Sequence, residues 1–147
     1  MRLTDEWFST LSADDNGQSV FVNGRLGLDE FRLSRKFKIR IELALNYEAD
    51  TTGMPTKKAM RLIEQIEQPL RETMERDKLA ILTGNHLGAG KKYWIFYTRT
   101  ERVFQERLNE VLEPFDLLPL DIECDADPNW DEYADMLELY TPELDED

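Results

Sequence analysis

The spacing of apolar positions changes period several times along the chain. From Lys36 to Leu45, Phe37, Ile39, Ile41, Leu43 and Leu45 alternate with Lys36, Lys38, Arg40 and Glu42. A period of two with one apolar face predicts a half-buried strand. From Lys57 to about Arg76 the spacing becomes three and four, through Ala59, Ile63, Ile66, Leu70 and Met74. That stripe predicts an amphipathic helix, with Thr56 as its N-cap. Pro69 sits inside it, and an interior proline costs about 3 kcal/mol. A bend near Ile66 to Gln68, or two abutting helices, is therefore expected. Leu79 to Thr83 reads as a second strand and Asn85 to Gly90 as a glycine-rich connection. Lys91 to Thr98 is apolar and aromatic on both faces, as in a central strand. Val103, Phe104, Leu108, Val111 and Leu112 mark a second helix, ended by Pro114. Leu118 to Asp125 alternates again, and Pro119 suits a strand at a sheet edge.

The succession after residue 35 is strand, helix, strand, strand, helix, strand. This is the split β-α-β pattern of a ferredoxin-like α+β sandwich. Right-handed crossovers require the order 4-1-3-2 for these four strands. The strand from Lys36 and the aromatic strand are then central, and the other two are edges. This order sets Lys36, Lys38 and Arg40 beside Asp121, Glu123 and Asp125, so that part of the acidity is neutralised within the sheet.

The flanks carry shorter patterns. Trp7, Phe8 and Leu11 suit a short helical turn, Asp14 to Gly17 has turn chemistry, and Gln18 to Asn23 reads as one extra N-terminal strand. Arg25 to Arg35 fits neither period. Trp130, Tyr133, Leu137 and Tyr140 are spaced three, four and three apart. They predict a short C-terminal helix that docks its aromatic side on the body.

Composition sharpens the functional reading. The 147 residues are 41% hydrophobic and 33% charged, with a net charge of -13. No apolar run approaches the roughly 18 residues that a membrane span needs. All 18 basic residues lie in 1–107 with 16 of the acidic ones; 108–147 holds the other 15 acidic residues and no Lys or Arg. Such a field repels phosphate backbones and attracts a basic protein surface. Cys124 is the single cysteine, so no internal disulfide forms, and the start carries no apolar export signal. Both features favour a cytoplasmic location.

Candidate chemistry is sparse. His86 is the only histidine and cannot build a zinc site without partners. Gly84 to Lys91 lacks the hydroxyl residue and the helix that a nucleotide phosphate loop needs. Asp121, Glu123, Asp125 and Asp127 alternate, but Ala126 stands where a calcium loop of the EF-hand type requires glycine. No catalytic residue, cofactor or metal site is assigned. The candidate partner-binding residues are Asp131, Glu132, Asp135, Glu138, Glu143, Asp145, Glu146 and Asp147. One alternative is a sheet that stacks single-stranded RNA on Tyr93, Trp94, Phe96 and Tyr97. Another is a small hydrolase built on the carboxylates from Asp121 to Asp127.

Three stretches resemble the bacterial domain-of-unknown-function 695 family. They are Gly53-Met54-Pro55 with the helix through Leu62 to Glu67, Leu82-Thr83-Gly84 through Gly90 to Tyr97, and Asp127 to Tyr133 with Leu137 and Leu139 to Pro142. That family looks related to the regulators of ribonuclease activity, small acidic proteins that bind and inhibit an RNA-degrading enzyme. The resemblance implies a ferredoxin-like fold and a binding role, and it supplies no catalytic residues. The expectation is one domain with an N-terminal extension (1–35), a ferredoxin-like core (36–125) and an acidic C-terminal segment (126–147). It would be a cytoplasmic, non-enzymatic regulator or inhibitor of a basic partner protein, with neither nucleic acid nor membrane as partner.

Overall fold

The computed structural model describes residues 1–140. The elements in chain order are β1 (Trp7–Ala13), β2 (Ser19–Arg25), α1 (Asp29–Leu33), β3 (Ile39–Asn46), α2 (Lys57–Glu75), β4 (Ala80–Gly88), β5 (Lys91–Thr98), α3 (Glu101–Leu112), β6 (Leu120–Ala126) and α4 (Asp131–Leu137). The fold is α+β, and one six-stranded sheet has the order β1-β2-β4-β5-β3-β6. Every adjacent pair is antiparallel. The succession β3-α2-β4-β5-α3-β6 is the expected split β-α-β set, and β3 and β5 are interior strands as their patterns require.

The alternation of β3 decides the layers. Ile41, Leu43 and Leu45 are buried with Trp94 and Phe96 of β5, beneath Ile63, Ile66, Leu70 and Met74 of α2 and Phe104 and Leu108 of α3. Thr56 caps α2 by accepting from the Ala59 amide at 3.2 Å. A second, smaller core lies on the opposite face of the sheet. There Leu28, Phe31, Phe37, Ile81, Tyr97, Trp130 and Tyr133 pack together under α1 and α4. Phe37 thus leaves the face of Ile41 and Leu43, because it precedes the regular strand.

Four expectations are corrected. α2 is one helix through Pro69 and not two abutting ones; buried residues on both sides of the proline hold it to the sheet and offset the one missing backbone hydrogen bond. Trp7 to Ala13 is a strand and not a helical turn, since it closes a hairpin on β2 around the turn at Asp14. The Asp14 carboxylate accepts there from the amides of Asn16 and Gln18. The chain therefore adds two N-terminal strands to the sheet, and β2 pairs with β4. That makes β4 interior, where an edge was expected. Finally, β4 continues through the glycine-rich stretch to Gly88, so the connection to β5 is only Ala89-Gly90. Both residues have positive φ, 52° and 82°, as a two-residue hairpin turn of the primed type requires.

Candidate functional site

A bulge in β4 shapes the less covered face of the sheet. Leu82 pairs with Phe96 of β5, but Gly84 pairs with Ile95, one register step out. The extra residue is Thr83, whose hydroxyl donates to the Ile95 carbonyl at 3.2 Å. Side chains alternate along a strand, so one extra residue exchanges the faces of everything that follows. His86 would otherwise share the face of Ala80 and Leu82. It lies instead opposite Tyr93, on the face that carries Arg40 and Ile95. Asn85 turns to the other side, where its amide oxygen accepts from the Lys92 ammonium at 2.9 Å.

α4 roofs this face and is fixed by a compact set of hydrogen bonds. Asp127 is buried, and its carboxylate accepts from the Tyr97 hydroxyl at 2.6 Å and from the amides of Asp131 and Glu132. These amides belong to the first turn of α4, whose own N-cap residue, Trp130, supplies no side-chain acceptor. Trp130 adopts a left-handed conformation, stacks on Tyr97 and donates from its indole to the Phe37 carbonyl at 2.7 Å. The Tyr133 hydroxyl donates to the Arg25 carbonyl. Between this roof and the sheet lies a cavity of about 270 Å³, with Arg40, Thr83, His86 and Ile95 below and Glu132, Tyr133, Asp135 and Met136 above. Gly84 makes room for Met136: a Cβ there would come within 2.8 Å of the methionine sulfur.

The electrostatics of this face are unbalanced. Burial, with Arg40 and Lys92 close by, pushes the His86 imidazole down to about 4, so it is neutral at pH 7. Arg40 lies opposite Asp125, but Glu42 lies opposite Glu123. Burial and the neighbouring Glu123 raise Glu42 above the usual carboxylate range, against the pull of Arg40. The expected neutralisation by Lys36, Lys38 and Arg40 is thus reduced to one register pair, because Lys36 and Lys38 precede β3. Eleven carboxylates lie between 108 and 140. Among the described residues every salt bridge uses a carboxylate from 1–107.

The candidate residues separate as follows. Asp131, Glu132, Asp135 and Glu138 are exposed on α4 and at its end, and Asp121, Glu123 and Asp125 are exposed on the edge strand β6. Glu143, Asp145, Glu146 and Asp147 lie outside the described residues. The four aromatics of the RNA alternative do not share a face. Trp94 (1% exposed) and Phe96 (0%) are under α2 and α3, Tyr97 (0%) is under Trp130, and Tyr93 alone is half-buried. They form no stacking platform. Asp121, Glu123 and Asp125 face solvent, and among the described residues no group of three or more His, Cys, Asp or Glu side chains could hold a metal ion. Cys124 is half-buried; burial and Glu101 push its thiol up to about 11, which leaves it protonated at neutral pH.

A second polar groove, of about 500 Å³, has no counterpart in the sequence reading. It runs between α2 and the N-terminal strands. Buried Arg25 pairs with Glu75 at 2.6 Å and donates also to the carbonyls of Thr4 and Leu82. Arg71 bridges Glu75 and Asp5, and both arginines lie within 5.5 Å of the Trp7 ring centroid. Lys92 joins Glu67 at 3.2 Å, and Trp94 donates to the same carboxylate. Each cation here is satisfied within the fold. No local pattern marks these pairs, since Arg25 and Glu75 are 50 positions apart.

Comparison with known protein families decides the kinship. A family model described as "Family of unknown function (DUF695)" matches residues 5–138. The chain belongs to the DUF695 family. The match runs from just before β1 to just after α4, so it takes in the N-terminal hairpin and the C-terminal roof as well as the central sheet of this chain. Neither the curated proteins nor the solved structures give a match.

Proposed function

We propose that this DUF695 protein is a non-enzymatic binding protein that engages a basic partner protein through the carboxylates of β6 and α4. The observation that carries this reading is the segregation of charge. Eleven carboxylates lie between 108 and 140 with no Lys or Arg in that stretch. The outward ones on β6 and α4 are left without salt bridges by the rest of the described chain. A single-sign surface raises association rates by roughly 10- to 1,000-fold, and the gain falls with ionic strength. The buried aromatics of β5 and the acidic face disfavour RNA. The resemblance to regulators of ribonuclease activity agrees with a binding and inhibiting role, and the lone Cys124 suits the reducing cytoplasm. No helix among the described residues is long and apolar enough to cross a membrane.

The test compares the native protein with a variant carrying Asp131→Asn, Glu132→Gln, Asp135→Asn and Glu138→Gln. Each is used to capture proteins from host lysate at low and high salt. The reading expects basic proteins that bind the native chain, dissociate at high salt and are lost from the variant. Capture that is indifferent to both salt and the substitutions would overturn it.

A further inference from the structure

The two edges of the sheet are built differently. β6 exposes Asp121, Glu123 and Asp125 and is preceded by Pro119; charges and proline are the usual guards against a further strand. β1 reads Trp-Phe-Ser-Thr-Leu-Ser-Ala, with neither a charge nor a proline. It pairs with β2 on one side, and among the described residues no strand pairs with its other side. Its ladder to β2 is bonded at even positions. At the two ends the Leu26 amide donates to the Glu6 carbonyl at 2.8 Å and the Asp14 amide to the Gln18 carbonyl at 2.9 Å. Successive residues of a strand bond to opposite sides. The N–H and C=O groups of Trp7, Ser9, Leu11 and Ala13 therefore point out of the sheet edge. The side chains of these residues lie on the α2 face, where Leu11 is 59% exposed and its cross-strand partner Phe21 is 45% exposed. Phe21 in turn lies opposite half-buried Leu87 of β4. Leu87, Phe21 and Leu11 thus form an apolar row that ends at the open edge.

We propose that β1 pairs with β1 of a second copy of this chain, antiparallel about a two-fold axis at Leu11, so that two six-stranded sheets become one. This register sets Leu11 opposite the copy's Leu11 and joins the two apolar rows through the axis. Ser9 then falls opposite Ala13, and Thr10 opposite Ser12. The flanking acids stay apart: Glu6 falls opposite Asn16, Asp14 opposite Phe8 and Asp15 opposite Trp7, so no carboxylate faces another. Charge selects this occupant. A basic strand finds no carboxylate on β1, whereas an uncharged strand with an apolar centre is what β1 itself offers. The net charge of -13 does not forbid the contact. The carboxylates of β6 are five strand spacings from β1, about 24 Å, against a screening length of about 8 Å at physiological salt. The symmetry also closes, because the outer edges of the pair are both guarded β6 strands and growth stops at two. This contact goes beyond the acidic surface, in which β1 takes no part.

The test is sedimentation equilibrium of the full chain under reducing conditions, up to about 0.5 mM. A reversible monomer–dimer equilibrium is expected, as tight at high salt as at low or tighter, since salt screens the repulsion between two acidic chains. Leu11→Lys opposes two ammonium groups at the axis and should weaken the dimer by about tenfold or more. Ser9→Pro removes one outward N–H, leaves the ladder to β2 whole and should act in the same direction. It also covers the case in which Leu11→Lys unfolds, which circular dichroism of each variant shows. The register is read by oxidation in a Cys124→Ser chain. Leu11→Cys should cross-link to its own copy, because directly paired residues stand about 5.5 Å apart, within disulfide reach. Ser9→Cys should not, because it lies four residues from its own copy, roughly 14 Å. A monomer at every concentration, an association that weakens as salt rises, or a dimer indifferent to Leu11→Lys and Ser9→Pro would each overturn the assignment. So would the absence of the Leu11→Cys cross-link, or a cross-link at Ser9→Cys instead. None of these variants touches the carboxylates of α4, so the dimer and the capture of basic proteins can each fail without the other.

Discussion

The indole of Trp130 stacks on the phenol of Tyr97, with ring centroids 4.4 Å apart and planes inclined by 23°. This contact ties the C-terminal helix to a central strand more than thirty residues away. The Tyr97 hydroxyl donates to Asp127 and accepts from the Tyr133 amide, so the stack and the cap of α4 are one unit. Burial and the Asp127 carboxylate raise the Tyr97 phenol far above its usual range, which keeps it a neutral donor. Truncating a fully buried aromatic of this size costs roughly 3–5 kcal/mol. Trp130→Ala should therefore lose about that much in urea unfolding, and the near-ultraviolet signal of the small core should vanish first. An unchanged midpoint would show that α4 does not contribute to stability.

His86 gives the small cavity a pH signature. Its imidazole titrates near 4 in the folded chain against an ordinary 6.5. Burial disfavours the charged form, and the cations Arg40 from β3 and Lys92 from β5 add to this, although Glu132 and Asp135 face the cavity from α4. The lowered value means that the unfolded chain takes up a proton before the folded one does. Stability is present above about pH 6.5 and is lost as the pH falls toward 4, by about 2–3 kcal/mol after allowance for partial exposure. His86→Gln should flatten this part of the profile. Measuring unfolding free energy from pH 7 to pH 4 for both proteins checks it, and parallel curves would refute it.

What could be read from the sequence follows from the range of each interaction. β3 and α2 are legible because their signals are local: the alternation from Ile39 to Leu45 and the stripe from Ala59 to Met74 each state which face is buried. The docking side of α4 is legible for the same reason, in the spacing of Trp130 and Tyr133. The cavity is not. It depends on the bulge at Thr83, which no residue type announces, and without the bulge His86 falls on the wrong face. Gly84 and Gly88 read as loop residues, yet Gly84 lies within β4 because Met136 of α4 occupies the space a side chain would need. The N-terminal hairpin reads as a helical turn because Trp7, Phe8 and Leu11 are spaced three and four apart, whereas the strand is set by its pairing with β2.

The hairpin turn Ala89-Gly90 carries removable strain. Ala89 is held at φ 52°, a left-handed conformation that costs an ordinary residue roughly 1–2 kcal/mol. Asparagine tolerates this region, and Asn-Gly is the preferred pair for such a turn. Ala89→Asn should raise stability by about 0.5–1 kcal/mol with the fold unchanged. Thermal unfolding followed by circular dichroism measures this, and a lower melting temperature would show that the turn is held by its contacts with Gly53 instead.

The Arg25–Glu75 pair is costly to break from one side. Arg25 is nearly inaccessible, and its guanidinium reaches Glu75, Thr4 and Leu82 at once. The Glu75 carboxylate in turn accepts from Arg71 and from the Leu82 amide. Removing one partner leaves a buried charge uncompensated, which costs roughly 3–5 kcal/mol, whereas replacing both by apolar groups of similar volume is often near neutral. Arg25→Met alone and Glu75→Leu alone should each be strongly destabilising. Arg25→Met leaves a carboxylate that Arg71 still partly satisfies, so it should be the milder of the two. The double variant should recover much of the loss, although the Thr4 carbonyl and the Leu82 amide and carbonyl then lose their partners. A double-mutant cycle on unfolding free energies decides it. Strict additivity of the two single losses would mean that the arginine and the glutamate act on the fold independently, through their backbone contacts and not through each other.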